Sequence, residues 1–386
     1  MAKPPCVLFL FDWCPVFWST REEYFRQLAE QLSARGVTPV LFASELKDDE
    51  VRRRFTAAGA RVEICSYHHG KLHYWQQIRN LQAEFSIQLA HVRFFDYFSS
   101  VHWACWLAGA RTIIFTEANS GESGATGWRQ SLMRIRTAVM CWPITQHIAI
   151  SEFIGQRLRQ VGIPGNQITC IYNGVDTTAF GPDPVARKEL RDETGASPET
   201  LVLIFAATLL AWKRPEIIVQ VLAELVRRGH AVQLWMAGTG PLHQQLVELA
   251  DSLKVTSQIK WLGYQKDPQR WMAAADLFVH TAAGEAFGNV FIEAMSCGLP
   301  VVASRSGAAP ELVVEFRGDN LSSATGLLVD VGPEEVVGLA DAVLAITSNP
   351  DRYAALSRAA IQQSKLFSTE VSVARAMAVY DPLLHR

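Results

Sequence analysis

What most constrains this chain is an alternation that runs its whole length, in which short β-branched and aromatic runs are separated by segments of helical period. VLFLF, TPVLFA, TIIFT, HIAIS and ITCIY read as strands, and Thr20–Ala34 as the first helix. Strands of a parallel sheet covered by crossover helices are buried on both faces, so they read as continuous apolar runs. Ser19 and Glu22 have the spacing of a capping box at the start of that helix.

The pattern restarts once. After NGVDTTAFGPDP, rich in turn formers, a short helix over Val185 to Glu193 leads into LVLIFAAT, which places a boundary between Asn173 and Thr200. The strands then read LVLIFAAT, VQLWMAG, IKWLG, LFVHT and PVVAS, with helical segments beginning at Pro215, Leu242, Pro268 and Asn289. A chain of 386 residues is too long for one ordinary core. The expectation is an α/β protein of two doubly wound, Rossmann-like domains facing across a cleft: 1–180, 181–365, and a final helix over 366–386 packing back on the first domain.

Several classes are disfavoured. A net charge of -2 gives no overall electrostatic reason to expect nucleic acid. The apolar run near the start ends at Asp12, too soon for a signal peptide, and the weakly charged stretch from 97 to 110 is too short to span a bilayer, so a cytoplasmic protein is expected. The seven cysteines form no CxxC pair and read as reduced, mostly buried thiols. HHGKLH, with His68, His69 and His73, reads as a solvated loop, and no metal site is expected.

In open α/β sheets ligands bind beyond the carboxyl ends of the strands. After LFVHT the chain reads GEAFGNVFIEAMSCGLP, placing Glu285 and Glu293 eight positions apart around a glycine turn, with a helix beginning at Gly288 or Asn289 and stopping near Gly298. The free N–H groups and dipole of a helix start make a diphosphate cradle. A carboxylate can accept hydrogen bonds from vicinal hydroxyls of a ribose or a hexose, so the two glutamates suit the two ends of a nucleotide sugar. Lys213 and Arg214, just before Pro215, are candidate phosphate partners. The turn Gly238-Thr239-Gly240 is a weaker candidate, since any tight strand-to-helix turn favours glycine.

Together with CGLPVVAS, the turn from Gly307 to Glu311, GLLV and NGVD, these residues resemble the donor domain of the retaining glycosyltransferases of family four, which have the GT-B fold; EAFGNVFIE matches their E-x7-E motif. The likeness covers roughly residues 168 to 331. It implies that Glu285 bonds the donor sugar, that backbone N–H groups from Phe287 to Val290, beside Ala286 and Gly288, hold the diphosphate or sugar, that Lys213 holds the phosphates and Glu293 the ribose, and that Tyr264 lies near the base. It further implies transfer with retention, without a metal or cofactor, from a nucleotide sugar, with UDP-sugar favoured over GDP-mannose; the acceptor is open between a glycan, a lipid-linked and a small molecule. Three positions depart from the family: Thr208 stands where an arginine is usual, with Arg214 the candidate replacement; Asp12 to Trp18 replaces a glycine-rich loop; and Glu117 stands where a histidine is frequent, a catalytic candidate beside Glu285 and Lys213. Two rival readings are a non-catalytic nucleotide-sugar-binding protein and a sugar-nucleotide epimerase.

Trp128, Leu132, Ile135 and Val139 recur at helical spacing, with Arg129, Arg134 and Arg136 between them. The plainer expectation is a helix packed in the core through its apolar side; the other is peripheral contact of 128–140 with lipid headgroups or a lipid-linked acceptor.

Overall fold

A computed structural model describes residues 3–11, 20–46, 49–65, 71–95, 98–118, 127–318 and 320–384, with nothing stated of the Lys71 side chain. The Asp12 to Trp18 loop, Ser19, His68 and His69 lie outside them. The chain forms two compact units, one of residues 1–174 with 369–386, the other of 175–368.

In the first unit the order is β1 (Pro5–Phe11), α1 (Thr20–Ala34), β2 (Thr38–Ala43), α2 (Asp49–Ala57), β3 (Arg61–Ile64), α3 (Lys71–Glu84) and β4 (Ser86–Arg93). Then come α4 (Val101–Leu107), β5 (Ile113–Glu117), α5 (Trp128–Met140), β6 (Gln146–Ala149), α6 (Glu152–Gln160) and β7 (Ile168–Cys170). The sheet is parallel in the order β3-β2-β1-β4-β5-β6-β7.

The second unit contains α7 (Pro184–Thr194), β8 (Leu201–Ala206), α8 (Pro215–Arg227), β9 (Val232–Ala237), α9 (His243–Ser252), β10 (Ile259–Gly263) and α10 (Pro268–Ala274). It continues through β11 (Leu277–His280), α11 (Asn289–Ser296), β12 (Val301–Ser304), α12 (Ala309–Leu312), β13 (Gly326–Val329), α13 (Glu335–Thr347) and α14 (Pro350–Ser364). Its six parallel strands run β10-β9-β8-β11-β12-β13. The order reverses between β8 and β11, and it is there that an open sheet leaves a crevice beyond its strand ends.

Local chemistry explains the boundaries. Asp183 caps α7 by accepting from the N–H groups of Val185 and Ala186, at 3.0 and 2.9 Å. Proline occupies the first position of α7, α8, α10 and α14, where its missing N–H leaves no bond unmade. Gly195 ends α7 in the left-handed region at φ 70°.

The last helix, α15 (Thr369–Leu384), returns to the first unit. Its Val373, Met377, Tyr380 and Leu384 share a core with Phe9, Tyr24, Phe25 and Leu28. Tyr380 Oη lies 2.5 Å from Nδ1 of His91, whose Nε2 lies 2.6 Å from Thr116 Oγ1. Burial, aided by Arg93, lowers the His91 pKa to about 3, so the ring is neutral and serves as a polar rivet between β4, β5 and α15.

Apolar helix α5 reverses the plainer expectation. Its inner side buries Thr137, while Trp128, Leu132, Ile135 and Val139 all face outward and are exposed.

Candidate functional site

At the β8/β11 reversal the loops that follow these two strands are stapled together. A single turn of 3-10 helix (Ala211–Lys213) follows β8, and Arg214 then takes the left-handed conformation, φ 51°, before α8. Thr281, just past β11, donates its hydroxyl to the carbonyls of Lys213 and Arg214, 3.1 and 2.8 Å away, and the Ala283 N–H donates to the Trp212 carbonyl at 2.8 Å. Lys213 is therefore held against the loop carrying Glu285, and its ammonium pairs with that carboxylate. The same ammonium lies 4.1 Å from the centroid of the Trp212 ring.

His280, the last residue of β11, lies 3.2 Å through Nε2 from the same Glu285 oxygen. Its ring stacks between Phe205 and Phe278, with centroids at 6.0 and 5.7 Å, and meets the edge of Phe291 at 4.9 Å. Burial lowers its pKa, and Lys213 opposes a second positive charge, so the imidazole is neutral and donates from Nε2. Burial alone would raise the Glu285 pKa; the His280 hydrogen bond and the Lys213 charge overrule it and hold the carboxyl below its ordinary value. A mostly buried carboxylate is thereby kept ionised, with its orientation set by an aromatic-packed histidine.

The backbone around it admits no side chain. A Cβ on Gly307, φ 59°, would stand 2.2 Å from the Glu285 carbonyl oxygen, and the next residue, Ala308, donates its N–H to that oxygen at 2.9 Å. Ser306 accepts from the Gly284 N–H at 2.8 Å. Gly288, φ 88°, opens α11; a Cβ there would meet Phe291 at 2.7 Å and Glu285 Cγ at 3.0 Å. Ala286 and Phe287 are buried, and Asn289 and Val290 are half-buried at the helix start.

Glu293 lies one turn into α11. It is half-buried, makes no hydrogen bond or ion pair among the described residues, and burial raises its pKa to about 7. Arg214, expected beside Lys213 as a second phosphate cation, is bonded twice to the buried Glu335, at 3.0 and 2.5 Å, and Ser304 donates to that carboxylate at 2.5 Å. Its charge is matched within the protein. Thr208 is exposed after β8.

Gly238 and Gly240 have a packing reason: a Cβ would stand 1.9 Å from the Ala207 oxygen and 2.5 Å from the Leu209 oxygen, respectively. Tyr264 is 57% exposed beyond β10. Glu117 belongs to the other unit, buried at the end of β5, and His73 is exposed on α3. Sequence reasoning passed over His280, Ser306 and Glu335. For His280 a signal existed, since it is the polar last residue of an apolar strand beside the reversal; Glu335 lies 121 residues from its partner, and no local pattern announces it.

Comparison with known proteins agrees with this architecture. Residues 186–363 match the family described as Glycosyl transferases group 1, and residues 22–179 match Glycosyltransferase Family 4. The D-inositol 3-phosphate glycosyltransferase of Rhodococcus opacus (strain B4) is 33% identical over 282 residues, 70% of this chain and 59% of that protein. The N-acetyl-alpha-D-glucosaminyl L-malate synthase of Bacillus anthracis is 27% identical over 237 residues, 61% of this chain and 59% of that protein. The match thus spans less than two thirds of each relative's length. Among solved structures, Anabaena Alr3699/HepE in complex with UDP and glucose superposes with a TM-score of 0.77 at 22% identity, covering 98% of this chain and all of that one.

Proposed function

We propose that the chain, whose two halves each match a glycosyltransferase family and whose fold is GT-B, transfers a sugar, with retention and without a metal, from a nucleoside diphosphate to a hydroxyl acceptor. The observation that carries the reading is the Lys213–Glu285–His280 cluster beside the start of α11, at the reversal of the second sheet. Uridine is the favoured base, because the HepE structure holds UDP and glucose on the same fold.

Without donor, the Lys213 charge is neutralised by Glu285. A diphosphate at the start of α11 offers Lys213 a stronger partner and frees Glu285 to accept from hydroxyls of the sugar, while Glu293 accepts from the ribose diol. As the bond from the anomeric carbon to the phosphate oxygen breaks, the oxygen keeps the electron pair; Lys213 and the α11 amides stabilise the growing negative charge. The acceptor oxygen bonds to the anomeric carbon on the face the phosphate leaves, and its proton passes to the departing phosphate. Removing one such stabilising donor costs about 100- to 1000-fold in turnover.

The test is a panel of UDP-, GDP- and ADP-sugars in EDTA, read by thermal stabilisation and nucleotide release for the wild type, Lys213→Ala and Glu293→Ala. One donor should stabilise the wild type, and both substitutions should abolish the effect. Stabilisation by no donor, or an equal shift in both variants, rejects the site.

A further inference from the structure

We propose that the outer face of α5, with the tryptophan corner beside it, docks on an anionic lipid surface; this goes beyond the transfer reading and does not depend on it. Trp128, Leu132, Ile135 and Val139 are 72, 58, 64 and 58% exposed, and Trp142, just past the helix, is 62% exposed. At 3.6 residues per turn the four positions within α5 fall within an arc of about 60° and extend about 16 Å along the axis. The helix has 13 residues, too few to span a bilayer but enough to lie flat in its surface.

The stripe continues onto α4. Trp142 stacks on Trp103 at 5.7 Å and meets Trp106 edge-on at 5.3 Å, and Leu107 is 64% exposed beside them. The Trp103 indole N–H donates to the Met140 carbonyl at 3.0 Å, which ties the corner to the end of α5. Indoles at both ends of an apolar stripe suit the boundary between headgroup and acyl chain.

Charge selects the occupant. Arg129 and Arg136 flank one side of the stripe, Arg134 the other, and Arg111 lies over the Trp106 ring at 4.5 Å. No Asp or Glu occurs from 123 to 151 or on α4, although the whole chain carries a net charge of -2. An apolar stripe edged by arginines complements phosphate headgroups, while the arginine stems extend the apolar footprint.

Flotation with phosphatidylcholine vesicles, with and without about 30 mol% phosphatidylglycerol, tests this on the whole chain. Wild type should float with the anionic vesicles. Leu132→Ser/Ile135→Ser and Arg129→Gln/Arg136→Gln should each lower partitioning about tenfold or more, the latter pair also weakening its salt dependence. Because these side chains are exposed, circular dichroism melting should be unchanged, separating lost docking from lost folding. Failure to float, equal flotation with neutral vesicles, or full flotation by both variants overturns the proposal. So does a solution dimer that Leu132→Ser/Ile135→Ser converts to monomers, which would assign the stripe to a second copy.

Discussion

Within the candidate site, burial pushes up the pKa of two carboxyls eight residues apart, and at one of them it is overruled. Glu285 is kept ionised by Lys213 and His280, whereas Glu293, without such partners, is raised from 4.5 to about 7. Between those two pH values the unfolded chain releases a proton that the native protein keeps, so stability falls as pH rises through the window and levels off above about 7. The difference of roughly 2.5 units corresponds to at most about 3 kcal/mol. Glu293→Gln should therefore melt higher than wild type near pH 8, match it near pH 4.5, and lose donor binding; equal melting curves at both pH values would remove the linkage. Wild-type donor binding should weaken below about pH 7 and release protons in calorimetry, because a ribose diol prefers the ionised carboxylate. The two acids were legible as a pair from their spacing. Their unequal ionisation was not, because it depends on the burial of Glu293 and on Lys213, which reaches Glu285 from 72 residues away.

Among elements, the loops after β8, β11 and β12 form one packed unit. Gly307→Ala would put a methyl 2.2 Å from the Glu285 carbonyl oxygen and 2.4 Å from its nitrogen, so the Glu285 loop must move. A displacement of about 1 Å at a reacting group costs on the order of 100-fold in rate. Single-turnover transfer by this variant should fall by that factor; a rate within twofold of wild type would show that the loop tolerates the shift. Arg214 and Glu335 join the start of α8 to the start of α13 across this same region. Glu335→Ala leaves a mostly buried guanidinium uncompensated and should cost about 3 to 5 kcal/mol in urea unfolding. A loss below about 1 kcal/mol would show that water or movement relieves the charge. The starts of α8, α10 and α11 were readable from Pro215, Pro268 and the glycine turn, since caps and breakers are local. The outward side of α5 was not: a helical stripe gives the direction of the apolar face relative to the helix, and only the neighbours decide whether that face is covered.

At the scale of the whole molecule, the restart of the strand pattern near Asn173 foretold a second parallel sheet, whereas the chain's return is a matter of packing. The first unit closes only with α15, through Met377 and Tyr380 in the core and the Tyr380–His91 contact. Truncation after Ser368 should leave the unit of 175–368 able to melt cooperatively and bind the donor nucleotide, while the residues before it lose their transition; two intact transitions in calorimetry would contradict this. Translation makes the same arrangement a matter of time. At about 5 to 20 residues per second, a ribosome that has released Gly174 needs roughly 10 to 40 s to deliver Leu384, and for that interval Phe9, Phe25 and His91 remain uncovered on the nascent chain. Chaperone demand during synthesis should therefore centre on the half made first and finished last.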